Sequence, residues 1–148
     1  VATREEEIVL PERLDGVDIQ AGLANLNGNR KLYKKILGDV FSRFHDVVPR
    51  LQGELAQGGR DEARRLIHTF KGVSGTLGAR EAQKLSGQLE EALVDGALER
   101  VELLMPVWIP VVERVMTALA GVGTPVMGEE AARQGRVAGD FRPIGRFD

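Results

Sequence analysis

Apolar residues recur along most of this chain at the three- and four-residue spacing of amphipathic α-helices. The clearest example is the stretch 61–79, in which every large apolar residue falls on one side of a helical wheel. This apolar face consists of Ala63, Leu66, Ile67, Phe70, Val73 and Leu77. No segment shows the period-2 alternation that is typical of a half-buried β-strand. The pattern therefore predicts an all-α protein.

Short turn signals separate the helical stretches. A short helix is predicted from Asp18, its N-cap, to about Ala24. Asn27-Gly28-Asn29 is typical of a turn, and Asn29 is a good N-cap for the helix that follows. Later helix ends are predicted at Gly58-Gly59, Leu77-Gly78 and Asp95-Gly96. Longer amphipathic stretches follow over residues 30–57, 61–76, 80–94 and 97–120. Four long helices joined by short turns predict an antiparallel up-and-down four-helix bundle with a short extra N-terminal helix.

Prolines interrupt two of the long helices. Pro49 lies inside the first, where its missing N–H and its ring predict a kink near residues 44–46 rather than an end to the helix. Because of Pro106 and Pro110, the sequence is compatible with either two short helices or one kinked helix over residues 97–120.

The two ends of the chain lack the helical pattern. Residues 1–13 are predicted to be a linker or a poorly ordered lead-in, and residues 14–120 to be the bundle. Residues 121–148 contain six glycines and two prolines and are predicted to be a flexible tail. The first residue is Val rather than Met, which suggests a piece of a longer protein.

Composition excludes several classes of function. The 148 residues suit one domain, and a net charge of −2 gives no reason to expect binding to nucleic acid. No apolar run approaches the roughly 20 residues of a membrane span, and no signal peptide is visible, so we expect no direct membrane contact. Cysteine is absent, and the two histidines, His45 and His68, lie on different predicted helices, so we expect no metal site.

His68 carries the candidate chemistry. It lies opposite the apolar face of the helix 61–79, so its imidazole is predicted to face solvent. Its neighbours on that side are Arg64, Arg65, Lys71, Gly72 and Gly75. A nucleophilic ring among cations, beside residues without side chains, suits the handling of a phosphoryl group. The position of His68 on the helical wheel is also consistent with an ordinary surface histidine. Arg64 and Arg65 could likewise belong to a basic face that contacts only solvent.

The same residues resemble a known signature. His68-Thr69-Phe70-Lys71-Gly72, followed by Ser74-Gly75-Thr76-Leu77-Gly78-Ala79, is similar to the H-x-x-K-G…LGA motif of histidine-containing phosphotransfer (HPt) domains. Residues 14–18 and 26–33 resemble the entry to the same module in bacterial hybrid sensor histidine kinases. The resemblance covers roughly residues 14–119.

The resemblance implies a role for each site residue. His68 would accept a phosphoryl group from the aspartyl phosphate of a receiver domain and pass it to another receiver domain. Lys71 would stabilise the transferring group, and Gly72 would give clearance. We expect Arg64, Arg65 and Gly75 to contribute to receiver docking. A polar residue of the next helix is expected near the imidazole. The candidates are Gln83, Gln88 and Glu90, and Glu90 lies closest to the place that the family usually uses.

The resemblance also implies the molecular context. Partners would be response-regulator receiver domains, which would supply Mg²⁺, so the chain would need no cofactor of its own. We expect a monomeric isolated domain in the cytoplasm, free or as part of a membrane-anchored sensor kinase, without autonomous kinase activity. Two alternatives stay open: a helical interaction module that is not phosphorylated, and a kinase-associated bundle. The second would be the dimerisation and phosphoacceptor domain of a histidine kinase or the phosphotransfer domain of a chemotaxis kinase.

Overall fold

The computed structural model describes residues 9–122, whose regular secondary structure is helical apart from one isolated bridge between Leu14 and Val17. The helices are α1 (Ile19–Asn25), α2 (Arg30–Phe44), α3 (Val47–Ala56), α4 (Arg60–Leu77), α5 (Arg80–Asp95) and α6 (Leu98–Ala120). The arms formed by α2 with α3, by α4, by α5 and by α6 make up the bundle, and α1 is the short extra helix. The predicted all-α bundle is confirmed.

Local capping chemistry sets most helix ends. The Asp18 and Asn29 side chains each accept a backbone N–H at 3.0 Å at the start of α1 and α2, as predicted. Gly78 and Gly96 adopt left-handed conformations, with φ of 93° and 69°, directly after α4 and α5. Glycine takes this conformation without steric cost, so both helices end sharply and the chain reverses direction.

The predicted continuous helix over residues 30–57 is wrong. The segment forms two helices, because α2 ends at Phe44 and α3 begins at Val47. Pro49 has no N–H to donate to the carbonyl of His45, and its ring crowds that carbonyl. In the first turn of a new helix the missing N–H costs nothing, so the chain restarts as α3 instead of bending. The position of the disruption was predicted correctly, but not its extent.

One continuous helix, α6, accommodates both Pro106 and Pro110, which settles the question that the sequence left open. By length and composition alone α6 is apolar enough to cross a membrane, contrary to the expectation from the sequence. The core helix of a soluble protein can have the same length and apolar composition. The inward face of α6 packs in the bundle, with Trp108 and Val112 fully buried.

The aromatic residues organise the centre of the bundle. Phe70 of α4 meets the Trp108 ring edge-on, with 6.2 Å between the ring centroids. The indole N–H of Trp108 donates to the buried Ser86 hydroxyl at 2.9 Å, so neither polar group is left unsatisfied. Trp108 is thus a packing residue, as the sequence indicates.

The core reaches beyond the predicted bundle limits. Leu10, which the sequence placed in the linker, and Val122, which it placed in the tail, are both buried with the core. The rest of the predicted linker up to residue 8, and the predicted tail from residue 123 onward, lie outside the described residues.

The C-terminal end of α4 is held by the N-terminal part of the chain. The last carbonyls of any helix lack partners within the helix. Here the donors are Asn25 Nδ2 to the Gly75 and Thr76 oxygens (3.2 Å each), Tyr33 Oη to Leu77 (2.7 Å) and the Asp18 N–H to Gly78 (2.8 Å). Tyr33 is fully buried, and its burial, with a smaller effect of the Asp18 charge, raises its pKa to about 12. These contacts fix the helix that carries His68.

Candidate functional site

His68 lies near the middle of α4, on the side away from the core. Its side chain is 63% exposed, whereas Ile67 and Phe70 on the opposite side are buried. The imidazole therefore faces solvent, as the wheel predicts.

Glu90 of α5 joins His68 to Lys71. Its Oε2 atom lies 2.7 Å from His68 Nδ1, and its Oε1 atom lies 2.6 Å from Lys71 Nζ. The antiparallel packing of α4 and α5 makes this possible, since the hairpin at Gly78 places the second half of α5 beside the middle of α4. Of the three polar candidates on α5, Glu90 is the one that reaches the ring. Gln88 makes no side-chain hydrogen bond to any described residue.

Glu90 is ionised, and this decides which ring nitrogen of His68 is free. Partial burial raises the pKa of Glu90, but the hydrogen bonds from Lys71 and His68 and their charges outweigh it, so the pKa lies below its ordinary value. A carboxylate can only accept, so Nδ1 of His68 donates the hydrogen bond. In the neutral ring Nε2 then carries the lone pair. The exposed imidazole is therefore held with the lone pair of Nε2 free.

Lys71 lies one turn after His68, and its stem crosses α5 at Gly87. A Cβ at position 87 would lie 3.4 Å from Lys71 Cδ, so glycine there leaves room for the stem. Gly87 was missed by the sequence analysis. The sequence feature that could have indicated Gly87 is a glycine inside a predicted helix, three residues before Glu90. Glycine at such a position costs about 1 kcal/mol relative to alanine, which suggests that the space it leaves is used.

The two glycines beside His68 have different surroundings. A Cβ at Gly72 would meet nothing within 4 Å, so this part of the surface is open to a partner. At Gly75 a Cβ would lie 2.4 Å from the amide nitrogen of Gln83, whose side chain covers the position. Gly75 therefore makes room for the Gln83 side chain within the bundle, whereas the surface at Gly72 is open, as expected for a residue that gives clearance.

The two predicted docking arginines also differ. Arg65 is exposed and pairs with Glu62 of the same helix. Arg64 is half-buried one turn before His68 and forms no ion pair with any residue in the range 9–122. Of these two arginines, Arg64 is therefore the one whose positive charge is not paired with a carboxylate of the described residues.

A groove of about 400 Å³ lies on the Thr69 side of α4, next to the site. It lies between α4 and the break that separates α2 from α3. Its lining includes Arg43, Phe44, Arg50, Arg65, Leu66 and Thr69. No sequence pattern indicates this groove, because its walls come from three helices that are brought together by the fold.

The described residues offer no metal centre. Among residues 9–122, no group of three or more His, Asp or Glu side chains is arranged to hold an ion. The polar groups of the site are instead a nucleophilic nitrogen, an ammonium group and the carboxylate that links them.

A family model described as "Hpt domain" matches residues 35–121, which is more than half of the chain and includes His68, Lys71 and Glu90. No curated protein matches the chain, and no solved structure does.

Proposed function

The chain belongs to the Hpt domain family, whose members transfer phosphoryl groups in two-component signalling, and on this premise we propose that it is a phosphorelay intermediate. In this proposal His68 accepts a phosphoryl group from the aspartyl phosphate of one receiver domain. It then passes the group to the aspartate of another.

The observation that carries the proposal is the different environment of the two ring nitrogens of His68. Nδ1 is bonded to the Glu90 carboxylate at 2.7 Å, and the side chain is otherwise 63% exposed. The nitrogen with the lone pair, Nε2, is thus the one that a partner can approach. A surface histidine without such a contact would have neither a fixed ring nor a fixed tautomer.

The transfer step needs no general base. The Nε2 lone pair attacks the phosphorus atom, the P–O bond to the aspartyl group breaks, and its electron pair leaves with the carboxylate. Because Nε2 carries no proton before the attack, none must be removed. This distinguishes His68 from a serine or threonine nucleophile, which requires an adjacent base.

Lys71 and Gly72 support this step. Negative charge lies on the equatorial oxygens of the transferring phosphoryl group, and a nearby ammonium group stabilises it. Lys71 Nζ is held by Glu90 one turn from His68 and can reorient towards these oxygens. The open surface at Gly72 lets the receiver active site approach.

The remaining parts of the reaction belong to the partner. In the proposal the receiver domain contributes its aspartate, its other acidic residues and the bound Mg²⁺. Arg64 and the rim of the groove, which includes Arg65, meet the acidic mouth of the receiver. The proposal places the domain in the cytoplasm, free or attached to a sensor kinase.

The test is transfer of ³²P from a panel of phosphorylated receiver domains to the chain. The wild type is compared with His68→Gln, and His45→Gln serves as the matched control because His45 is an exposed histidine outside the site. Circular dichroism checks that the helical content of each variant is unchanged.

We expect label on the wild type and on His45→Gln, and none on His68→Gln. The label should be lost in acid and retained in base, as a phosphohistidine is. Equal labelling of His68→Gln would refute the assignment of the residue. Binding to receiver domains without any transfer would favour an interaction module that is not phosphorylated.

A further inference from the structure

The charge of Glu90 has a consequence after His68 has been phosphorylated. We propose that Glu90 is a positioning residue that holds a proton on Nδ1 of phosphorylated His68 and so keeps the phosphoryl group ready to leave. This inference rests on the proposed function, because it concerns the phosphorylated state of the same ring.

The contact between Glu90 and the ring is compatible with phosphorylation. The phosphoryl group is added to Nε2, which is not the nitrogen that Glu90 contacts. Glu90 is only 15% exposed, and before phosphorylation its other oxygen pairs with Lys71 at 2.6 Å. When Lys71 turns towards the phosphoryl group, it releases that oxygen and not the one that contacts Nδ1. Glu90 can therefore stay on Nδ1 throughout a cycle of phosphorylation and transfer.

A proton on Nδ1 determines what kind of leaving group the ring is. When the phosphoryl group departs, the P–Nε2 bond breaks and its electron pair returns to Nε2, while an oxygen of the acceptor carboxylate bonds to phosphorus. With a proton on Nδ1, the departing ring is neutral imidazole. Without it, the departing ring would be the imidazolate anion, which is a much poorer leaving group. Transfer and hydrolysis both proceed faster when Nδ1 keeps its proton.

The charge of Glu90 favours this proton. A ring phosphorylated on Nε2 and protonated on Nδ1 is cationic, and an anion in hydrogen-bond contact stabilises a cationic group. An amide in the same place would accept the same hydrogen bond without supplying the charge.

The other charged groups around the ring are mainly cations. Lys71 and Arg64 lie one turn away on α4 and disfavour a further positive charge on the ring. The charged groups on the groove side are Arg43, Arg50, Glu54, Glu62 and Arg65. Among the residues that the structure describes, Glu90 is the carboxylate in contact with the ring. Removing its charge therefore leaves surroundings that favour loss of the proton.

The experiment compares the wild-type residue with Glu90→Gln, both in a His45→Gln background so that His68 is the histidine that becomes labelled. Phosphoramidate, a small P–N phosphodonor, phosphorylates both chains without a receiver domain. The ³¹P and ¹⁵N chemical shifts give the pH at which the phosphorylated ring loses its Nδ1 proton. Loss of the phosphoryl group is followed over the same pH range.

Two further variants make the comparison specific. Glu91→Gln is the matched control, since it removes the same charge from the next, exposed position of α5. Glu90→Asp keeps the charge on a shorter stem, and we expect its pH dependence to lie nearer to the wild type than that of Glu90→Gln.

In Glu90→Gln the midpoint of the ring titration is expected to fall by about one pH unit. Between the two midpoints, loss of the phosphoryl group should be roughly two- to fivefold slower than in the wild type, and above both midpoints the difference should approach about tenfold. Glu91→Gln should match the wild type. Release of Lys71 from Glu90 would also lower the midpoint, so the titration is repeated in a Lys71→Ala background, where the shift caused by Glu90→Gln reports the charge of Glu90 alone.

Equal midpoints in the wild type and Glu90→Gln, with both chains folded, would overturn the inference and leave the proposed function standing. If phosphoramidate labels His68 but no phosphorylated receiver domain does, the proposed function fails instead.

Discussion

At the scale of single residues, the site depends on the contact between Glu90 and His68. The sequence alone limited the residue that makes this contact to three candidates on the next helix. The wheel placed His68 on the solvent side because the apolar residues of α4 share one face. The residue that contacts the ring comes from another helix, and its identity depends on the packing of α4 against α5. Periodicity fixes which face a residue occupies, but the rotation and offset between two helices decide which residues meet.

The role of Lys71 leads to a prediction for the transfer rate. Lys71→Ala should slow transfer from a receiver to His68 by roughly tenfold, because it removes the ammonium group that stabilises the transferring oxygens. The matched control is Lys35→Ala, which removes an exposed lysine of α2 that is also paired with a carboxylate. Rapid-quench transfer assays measure both rates. A rate for Lys71→Ala equal to that of Lys35→Ala would show that the lysine does not act on the phosphoryl group.

The lowered pKa of Glu90 leads to a prediction for stability. A carboxyl group whose pKa is lower in the folded state stabilises the fold above its unfolded pKa, which is near the ordinary 4.5. This contribution is lost as the pH falls through the folded value. The thermal midpoint of the wild type should therefore exceed that of Glu90→Gln at neutral pH, and the difference should shrink below about pH 4. A difference that is the same at neutral and acidic pH would contradict the ion-pair description of Glu90.

At the scale of helices, the end of α4 depends on a close approach by α1. A Cβ at Gly22 would lie 2.2 Å from the Leu77 oxygen and 2.5 Å from the Tyr33 ring, and both atoms belong to the contacts that hold α4. The sequence indicated neither α1 nor Gly22 as a support for the site, because these contacts join segments about 50 residues apart.

Gly22→Ala should destabilise the protein by about 3 kcal/mol, because overpacking of this contact forces α1 away from α4. Gly38 is the matched control, since a Cβ there meets nothing within 4 Å on an exposed helical surface. Gly38→Ala should stabilise the protein by about 0.5–1 kcal/mol. Urea unfolding measures both changes. Equal effects of the two substitutions would show that the approach of α1 does not support α4.

Helix boundaries show where local chemistry is sufficient for prediction. Asp18, Asn29 and the glycine turns fixed helix ends correctly, because capping involves residues within one turn of each other. Pro49 was placed correctly as a disruption, but whether such a helix bends or restarts depends on how the two pieces pack. Pro106 and Pro110 show the opposite outcome, since α6 continues through both.

At the scale of the whole molecule, the four amphipathic arms determine the bundle. Each has one apolar stripe, and four stripes can be buried together only around one core, so the fold class follows from the sequence. The groove beside Thr69 could not be predicted in this way, because it is a gap between three helices rather than a property of any one.

The closed core also leads to a prediction for the oligomeric state. Among the described residues, Tyr33, Phe44, Phe70 and Trp108 are buried within one chain together with most of the aliphatic side chains, so the bundle does not need a second copy to complete its core. Sedimentation equilibrium at micromolar concentration should give the mass of a monomer, 16.2 kDa. A stable dimer would instead support the dimerisation and phosphoacceptor domain of a histidine kinase.

The central claim is that His68 receives a phosphoryl group through Nε2, because Glu90 occupies Nδ1. The most direct test is ¹⁵N NMR of the histidine side chains after transfer from a phosphorylated receiver domain. Coupling between phosphorus and Nε2 of His68, with a proton retained on Nδ1, is the expected result. Phosphorus on Nδ1, or no phosphorus on His68 after receivers have lost their phosphoryl groups to the chain, would contradict the claim.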